Sequence, residues 1–570
     1  MIRRALGILL LTTGVALSHA AVPAAGALRV GLWTLWHDKE VSVSTEPGMS
    51  AFLANCESCS GSPITQPLTL RAAADGVAAR NRVAQPSLFL SGGIQLSAHG
   101  ESITLHNPVR ISARKGELVL AITLPVESYV ERVVASESGD ADSLESLKAL
   151  AIVVRSFALH QAHGHADYDV CDSTHCQLIH WTGGGRHAAH QATLATAGET
   201  LWFHGRRAEA WFHQNCGGHT AAPGETWPRA KPMPWLLSRA DPYCTAGGAR
   251  EWASTLSLID LTQALAAAGL ARPGWKTLNV TRRGESGRAV TLKVGETEIA
   301  AEDFRLSVGR SLGWGRVLSN WYEVSQRGGE FVFHGRGSGH GVGLCQAGAA
   351  AMAGQGRDAE QILAQYFPGA DAEDEATGQP WQLLRGQGFL VETLAAADST
   401  YLPQINQALA EAEERSSLRP SGAITLRAFP SVNAFREGTL APGWVAAFTE
   451  GNWIGSQPLT TLAGRKLLVT VLRHEFLHAL VEGHAGANGP LWLREGLVEL
   501  WADGVPENAP AIKIGELDAS LAHASTEAAS EKAHRAAAIY ARRLLDRYGR
   551  AEVLGWLHSG IPANIAAGLN

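Results

Sequence analysis

Residues 473–501, RHEFLHALVEGHAGANGPLWLREGLVELW, hold three histidines and four glutamates within two long apolar runs. Apolar side chains at helical spacing on either side of GANGP predict two antiparallel helices joined by a short turn. Charged groups caught between such helices must be matched to one another or to an ion, which restricts what the segment can become. His474 and His478 stand four residues apart, so on a helix their rings lie about 40° apart on one face and can share an ion. Glu475 sits where a carboxylate can take a proton from a metal-bound water. Two residues are candidates for the third ligand. His484 follows His478 by six residues, and a helix running on through Val481 turns it by about 240°, away from the ion. Glu495, in the apolar run after the turn, is the other.

At 570 residues the chain exceeds what one hydrophobic core supports, so two or three domains are expected. From Leu28 to about Val126, segments such as LRVGLWTLW, SITLHNPVRIS and LVLAITLPV read as short strands between Gly, Pro and Ser. SLESLKALAIVVRSFALHQ then changes to helical spacing, with Asp142 or Ser143 as the N-cap. AEQILAQYF is a second amphipathic helix. The acidic, small-residue stretch GADAEDEATGQP marks a linker, placed at 371–385 between a domain of residues 28–370 and one of 386–570. In the last domain, strands GFLVETL, AITLRAF, WVAAFTEG and WIGSQ mix with helices, an α+β order for a multidomain chain.

A net charge of −6 without a basic run gives no footing for nucleic-acid binding. Arg3 and Arg4 precede an apolar run, Ala5–Leu17, and Ser18-His19-Ala20 forms a small-residue cleavage site, so residues 1–20 read as an export signal. Thirteen residues of helix reach about 20 Å, short of the roughly 30 Å of a bilayer core. With no other apolar run long enough to span, the mature chain is expected in the periplasm or cell wall with no integral membrane segment. Disulfides survive there. The seven cysteines are an odd number, so they cannot all pair internally.

Three stretches resemble the SpoIID/LytB family of sporulation and cell-wall proteins. These are LPVESYVERVVASESGDADSLESLKALAIVVRSFAL, WFHQNCGGHTAAPGETW and GRGSGHGVGLCQAGAAAMAGQGRDAEQILAQYFPGA, in family order between about residues 28 and 370. The resemblance implies a lytic transglycosylase acting on peptidoglycan glycan strands, with Glu137 of ASES as its catalytic glutamate. Breaking a glycosidic bond needs a carboxylic acid to protonate the departing oxygen. A transglycosylase can use one carboxyl twice, as acid and then as base toward the sugar's own hydroxyl. Val133, Val134 and Ala135 would wall it in. Two positions depart from the family pattern: its Met-Pro after the glutamate is Ser138-Gly139, and its Gln in the next helix is Leu150. The Gly is expected to loosen that loop. Some members of the family hold zinc in the next loop, which here would use His165, Cys171, His175 and Cys176 as a closed structural site. His163 could replace His165, and a Cys171–Cys176 disulfide is the competing reading. His340, with Gly217 and Gly218, would line the sugar cleft. Cys56–Cys59 and Cys216–Cys244 could form disulfides, leaving Cys345 unpaired.

LWLREGLVELW resembles the second metal helix of gluzincin peptidases. That resemblance makes Glu495 the third zinc ligand and Glu499 a hydrogen-bond partner of a zinc-bound histidine. WVAAFTEGNWIGSQP resembles that fold's peptide-binding edge strand, and Tyr540 could stabilise an oxyanion. Together the two resemblances imply an exported peptidoglycan-remodelling enzyme fused to a zinc metallopeptidase-like, zincin-type α+β domain. The alternatives are a non-catalytic enhancer of a cell-wall amidase, as in the LytB branch, and a peptidase whose first domain only holds the wall.

Overall fold

In the strand Glu117–Pro125, Leu118, Leu120, Ile122 and Leu124 are buried while alternate residues are partly exposed, the period-two pattern of a sheet with one covered face. This strand belongs to a computed structural model describing residues 26–570, apart from 75, 80–83, 140–141, 161–164, 183–185, 247, 249, 487, 505–511, 525, 567 and 569–570. The export signal expected at 1–20 and the alternative ligand His163 lie outside the described residues. Contacts divide the chain into two units, one of residues up to Tyr129 with Ala162–Gly183, the other of Val130–Gln161 with Gly184–Asn570.

The first unit holds a seven-stranded and a five-stranded sheet. The outermost pairing of the larger sheet sets Val170–Cys171 parallel to Ala27–Leu32, with Val30 opposite Val170 and Gly31 opposite Cys171. Cys56 and Cys59 form a disulfide.

In the second unit, helix Leu144–His160 is buried over most of its length, Ser146 to Ala158. It packs against helices His187–Ala195, Gln346–Gly354 and Ala359–Tyr366 and against strand Glu199–Phe203. Ser143 starts it, its hydroxyl accepting from Ser146 N at 3.4 Å. A separate core, including Leu261, Phe304, Phe331 and Phe333, fills the space among two three-stranded sheets and two helices. Towards the C-terminus a five-stranded sheet is parallel at its centre, Phe389–Thr393 with Ile424–Ala428 and Ile424–Ala428 with Trp453–Ser456. Parallel neighbours need a crossover, and helix Leu402–Ser416 supplies the first. Strand Ala447–Glu450 closes that sheet as an antiparallel edge.

Residues 371–385, expected as a linker, carry two strands. Asp371–Asp374 pairs with Glu199–Phe203, and Gln382–Arg385 pairs with Phe389–Thr393. The buried Arg427 adds ion pairs to Glu199 and to Glu392, the latter at 2.8 Å, and stacks over Trp381. The polypeptide therefore stays in the second unit across the expected boundary. The molecule is mixed α and β and multidomain, and no helix among the described residues is long and apolar enough to cross a membrane.

Candidate functional site

Helix Val126–Glu137 ends on Glu137, whose side chain is half-buried. Val133 and Val134 behind it are fully buried, and Ala135 is half-buried. The Gln346 side-chain amide, at the start of helix Gln346–Gly354, donates to the Glu137 carbonyl at 3.1 Å. ASES and GHGVGLCQ, far apart in sequence, thus meet at this helix end. In these segments Ser138 Oγ and Gln346 Oε1, and on the strand paired with Leu344–Cys345 His213 Nε2, are buried with no hydrogen-bond partner among the described residues. After Ser138, Gly139 N donates to Asp142 Oδ2 at 2.6 Å and Asp142 N donates back to Gly139 O at 3.3 Å. Leu150 is buried in the following helix.

His340 lies beside Trp227 and His213, with ring centroids 5.2 and 5.6 Å away. Its Nδ1 accepts from Val342 N at 3.1 Å, and burial pushes its pKa down to about 4, so it is a neutral ring near pH 7. Gly217 and Gly218 take φ of +71° and +103°. A Cβ on Gly217 would lie 3.3 Å from Arg336, Gly337 and Trp321, and one on Gly218 would lie 2.9 Å from Thr245. Both take the left-handed conformation that glycine favours, in a closely packed turn. The organiser of this region escaped the sequence. Arg288 is fully buried and donates to His219 O at 2.7 Å and Cys216 O at 2.6 Å. It also fills the space where a Cβ on Gly341 would go. A lone Arg in GRAV carries no motif that could have flagged it.

In the first unit, one ligand atom each from His165, Cys171, His175 and Cys176 lie within 4.8 Å of one another. Strand Val170–Cys171 sets Cys171, and Asp172 braces the loop by accepting from Trp33 N, Thr34 N and Trp181 Nε1. Cys171 and Cys176 are not joined in a disulfide. Hydrogen bonds from Cys176 and then His175 push the Cys171 thiol down to about 3, while its bond with Cys171 and burial push Cys176 up. Two imidazoles and two thiols, one predisposed to ionise, suit a tetrahedral zinc.

The C-terminal candidates come together on three helices. Helix Leu468–Glu482 carries His474 and His478, with Nε2 atoms 3.1 Å apart. Glu495 of helix Leu491–Asp503 lies 3.8 Å from His478 Nε2. His534 of helix Glu527–Tyr548 contacts the same Glu495 oxygen at 3.2 Å. Burial would push Glu495 up, but His478 and His534 hold it down to about 2. Burial would likewise lower His534, yet its bond to Glu495 raises it to about 9. Glu475 is buried, pushed up by desolvation, and its carboxylate accepts from Thr449 Oγ1 on the edge strand at 2.6 Å. His484 is turned away: the helix passes through Val481, and the ring bonds Leu480 O at 2.8 Å. Among the described residues Glu499 makes no hydrogen bond to His474 or His478; burial pushes its pKa up and the nearby charge of His534 opposes this. Tyr540 donates to Ile512 O at 3.1 Å. Sequence reading missed His534, and its spacing in EKAHRAAA offered no ligand pattern.

Cys216 and Cys244 are also unjoined, against the expected disulfide. They gather instead with Cys345 and Asp241.

Comparison with known proteins bears on the N-terminal part. Residues 114–203 match the family model described as Stage II sporulation protein, and 248–343 match a domain of unknown function, DUF8618. An uncharacterized protein of Brachyspira hyodysenteriae is 29% identical over 260 residues, 45% of this chain and 69% of its own length. Stage II sporulation protein D of Bacillus amyloliquefaciens is 25% identical over 327 residues, 54% of this chain and 90% of the relative. An amidase enhancer of Bacillus subtilis is 23% identical over 292 residues, 42% of this chain and 39% of the relative. The resemblance to SpoIID proteins is therefore supported for the N-terminal part, while neither family model reaches residues 386–570.

Proposed function

We propose that this chain is an exported peptidoglycan-remodelling protein in which Glu137 serves as the general acid and base of a lytic transglycosylase. The single observation that carries the reading is the Gln346–Glu137 bond. It draws the end of the glutamate's helix to the GHGVGLCQ segment, beside buried polar atoms that have no partner among the described residues. Buried polar groups are nearly always satisfied, and sugar hydroxyls could satisfy these. Glu137 gives its proton to the departing glycosidic oxygen, then takes one from a hydroxyl of the same sugar, which closes the anhydro ring. Glu137 stands at the end of its helix and is half-buried. The test is incubation of the purified protein with glycan strands stripped of peptide. Anhydro-muramyl ends are expected, and Glu137→Gln should reduce their release by at least about 100-fold without changing the circular dichroism. Release that survives the substitution removes the assignment.

The likeness to an amidase enhancer supports a second reading, a non-catalytic partner of an amidase. There the protein alone would release nothing, yet would accelerate an added amidase.

For residues 386–570 we infer a zinc peptidase-like site held by His474, His478 and Glu495. The donor types fit: His478 Nε2 lies 3.1 Å from His474 Nε2 and 3.8 Å from a Glu495 oxygen, and zinc held by the three would keep a fourth position for water or substrate. Zinc would polarise a peptide carbonyl and acidify a water. Glu475, held by Thr449 on the edge strand, would receive the proton, and an extended peptide would lie along Ala447–Glu450. Glu475→Gln is expected to abolish cleavage of stem peptides while leaving zinc content unchanged.

A further inference from the structure

We propose that Cys216, Asp241, Cys244 and Cys345 form a closed, four-ligand structural site for a thiolate-preferring divalent metal, zinc foremost. The site is distinct from the two zinc candidates above. One ligand atom from each residue lies within 4.8 Å of the others, and all four residues are buried. Zinc–sulfur bonds of about 2.3 Å in tetrahedral array set neighbouring sulfurs roughly 3.8 Å apart, so the cluster is of the right size.

The surroundings are those of a ligand set rather than of an apolar core. Asp241 is fully buried, with Oδ1 accepting from Tyr243 N and Cys244 N, each at 3.1 Å. Its Oδ2 accepts from the Tyr366 hydroxyl at 3.0 Å and faces Cys216 Sγ at 3.1 Å. Backbone donors point at sulfur: Cys216 N and Gly348 N at Cys345 Sγ, at 3.2 and 3.4 Å, and Gly218 N at Cys216 Sγ, at 3.4 Å. Such bonds favour thiolates. A Cβ on Gly348 would collide with the Tyr366 hydroxyl and Asp241 Oδ2, so a glycine there keeps the pocket open.

Three thiolates and a carboxylate carry four negative charges, and a divalent ion leaves two. The fully buried Arg288, bonded to Cys216 O, supplies a compensating positive charge beside them. Each ligating thiol releases its proton to solvent as the metal binds. A Cys216–Cys244 disulfide would leave both Cys345 and the buried Asp241 unexplained. The metal would tie the Gly217–Gly218 turn, the segment after Arg239–Ala240 and the start of helix Gln346–Gly354 into one rigid body. These segments surround the proposed sugar site, but the inference does not depend on that reading.

The test uses the full chain with Cys56, Cys59, Cys171 and Cys176 all changed to Ser. Of seven cysteines only the three proposed ligands then remain. Titration with Co²⁺ should give intense thiolate-to-cobalt absorption saturating at one equivalent, and adding Cys345→Ser should abolish it. Asp241→Cys should restore binding where Asp241→Ala loses it. Should the fourfold variant fail to fold, zinc is counted in the otherwise unmodified chain, where Cys345→Ser should lower the content by one equivalent. The proposal is overturned by a folded protein without thiolate–cobalt absorption, by an unchanged zinc count, or by a Cys216–Cys244 disulfide found in peptide mass spectra.

Discussion

Glu495 shows how much a single carboxylate can be asked to do. It lies within reach of His478 and of His534, two rings on different helices, and both favour its ionised form. In the zinc site proposed above, a ligand held in this way would be pre-oriented, and the group behind it would set how firmly it can grip an ion. His534→Ala leaves Glu495 without that brace. Zinc affinity in a chelator competition should fall about 10–100-fold, with the helical signal in circular dichroism unchanged. An unaltered affinity would mean that His534 merely fills space.

At the level of helices, the glycine of WLREG explains the approach of its neighbours. A Cβ on Gly496 would lie 2.4 Å from Ala537 O and 3.1 Å from the Ala541 side chain, so helices Leu491–Asp503 and Glu527–Tyr548 meet nearly backbone to backbone. The run Ala536-Ala537-Ala538 and Ala541, all buried, keeps the facing helix thin enough for this. That closeness brings His534 to Glu495. Gly496→Ala must push the helices apart, because a backbone carbonyl cannot swing aside. It is expected to cost about 1–3 kcal/mol, read as a lower melting temperature, and to lower zinc occupancy together with stability. A fully zinc-loaded, equally stable Gly496→Ala protein would contradict this account.

Across the whole second unit, charge pairs bind parts that composition alone separates. His190 lies 2.9 Å from Glu131, on the helix that ends in Glu137, and 2.9 Å from Glu450, on the edge strand beside Glu475. Bonds to Glu131 and then Glu450 raise its pKa from 6.5 to about 10. A folded-state pKa above the unfolded one stabilises the fold fully below about pH 6.5, and that contribution is lost as pH rises through about 10. Solvent screening at this partly exposed ring keeps the effect modest. The melting temperature should therefore decline between pH 6.5 and 10 more steeply in the parent chain than in His190→Gln. Identical slopes would show that His190 does not link the two parts.

What the chain announces by itself is short-range. Strand Glu117–Pro125 and helix Leu144–His160 lie where alternation and helical spacing put them, and His474 and His478 meet because four residues make about one helical turn. The acidic stretch at 371–385 misled for the same reason: composition reports average solubility and cannot register the strands to which it pairs. His534, Arg288 and the gathering of Cys216 with Cys345, 129 positions apart, were decided only by the tertiary fold. Periodicity is a property of neighbouring residues and is written along the chain. Which distant side chains meet depends on how all the helices and sheets pack at once, and no local pattern encodes that.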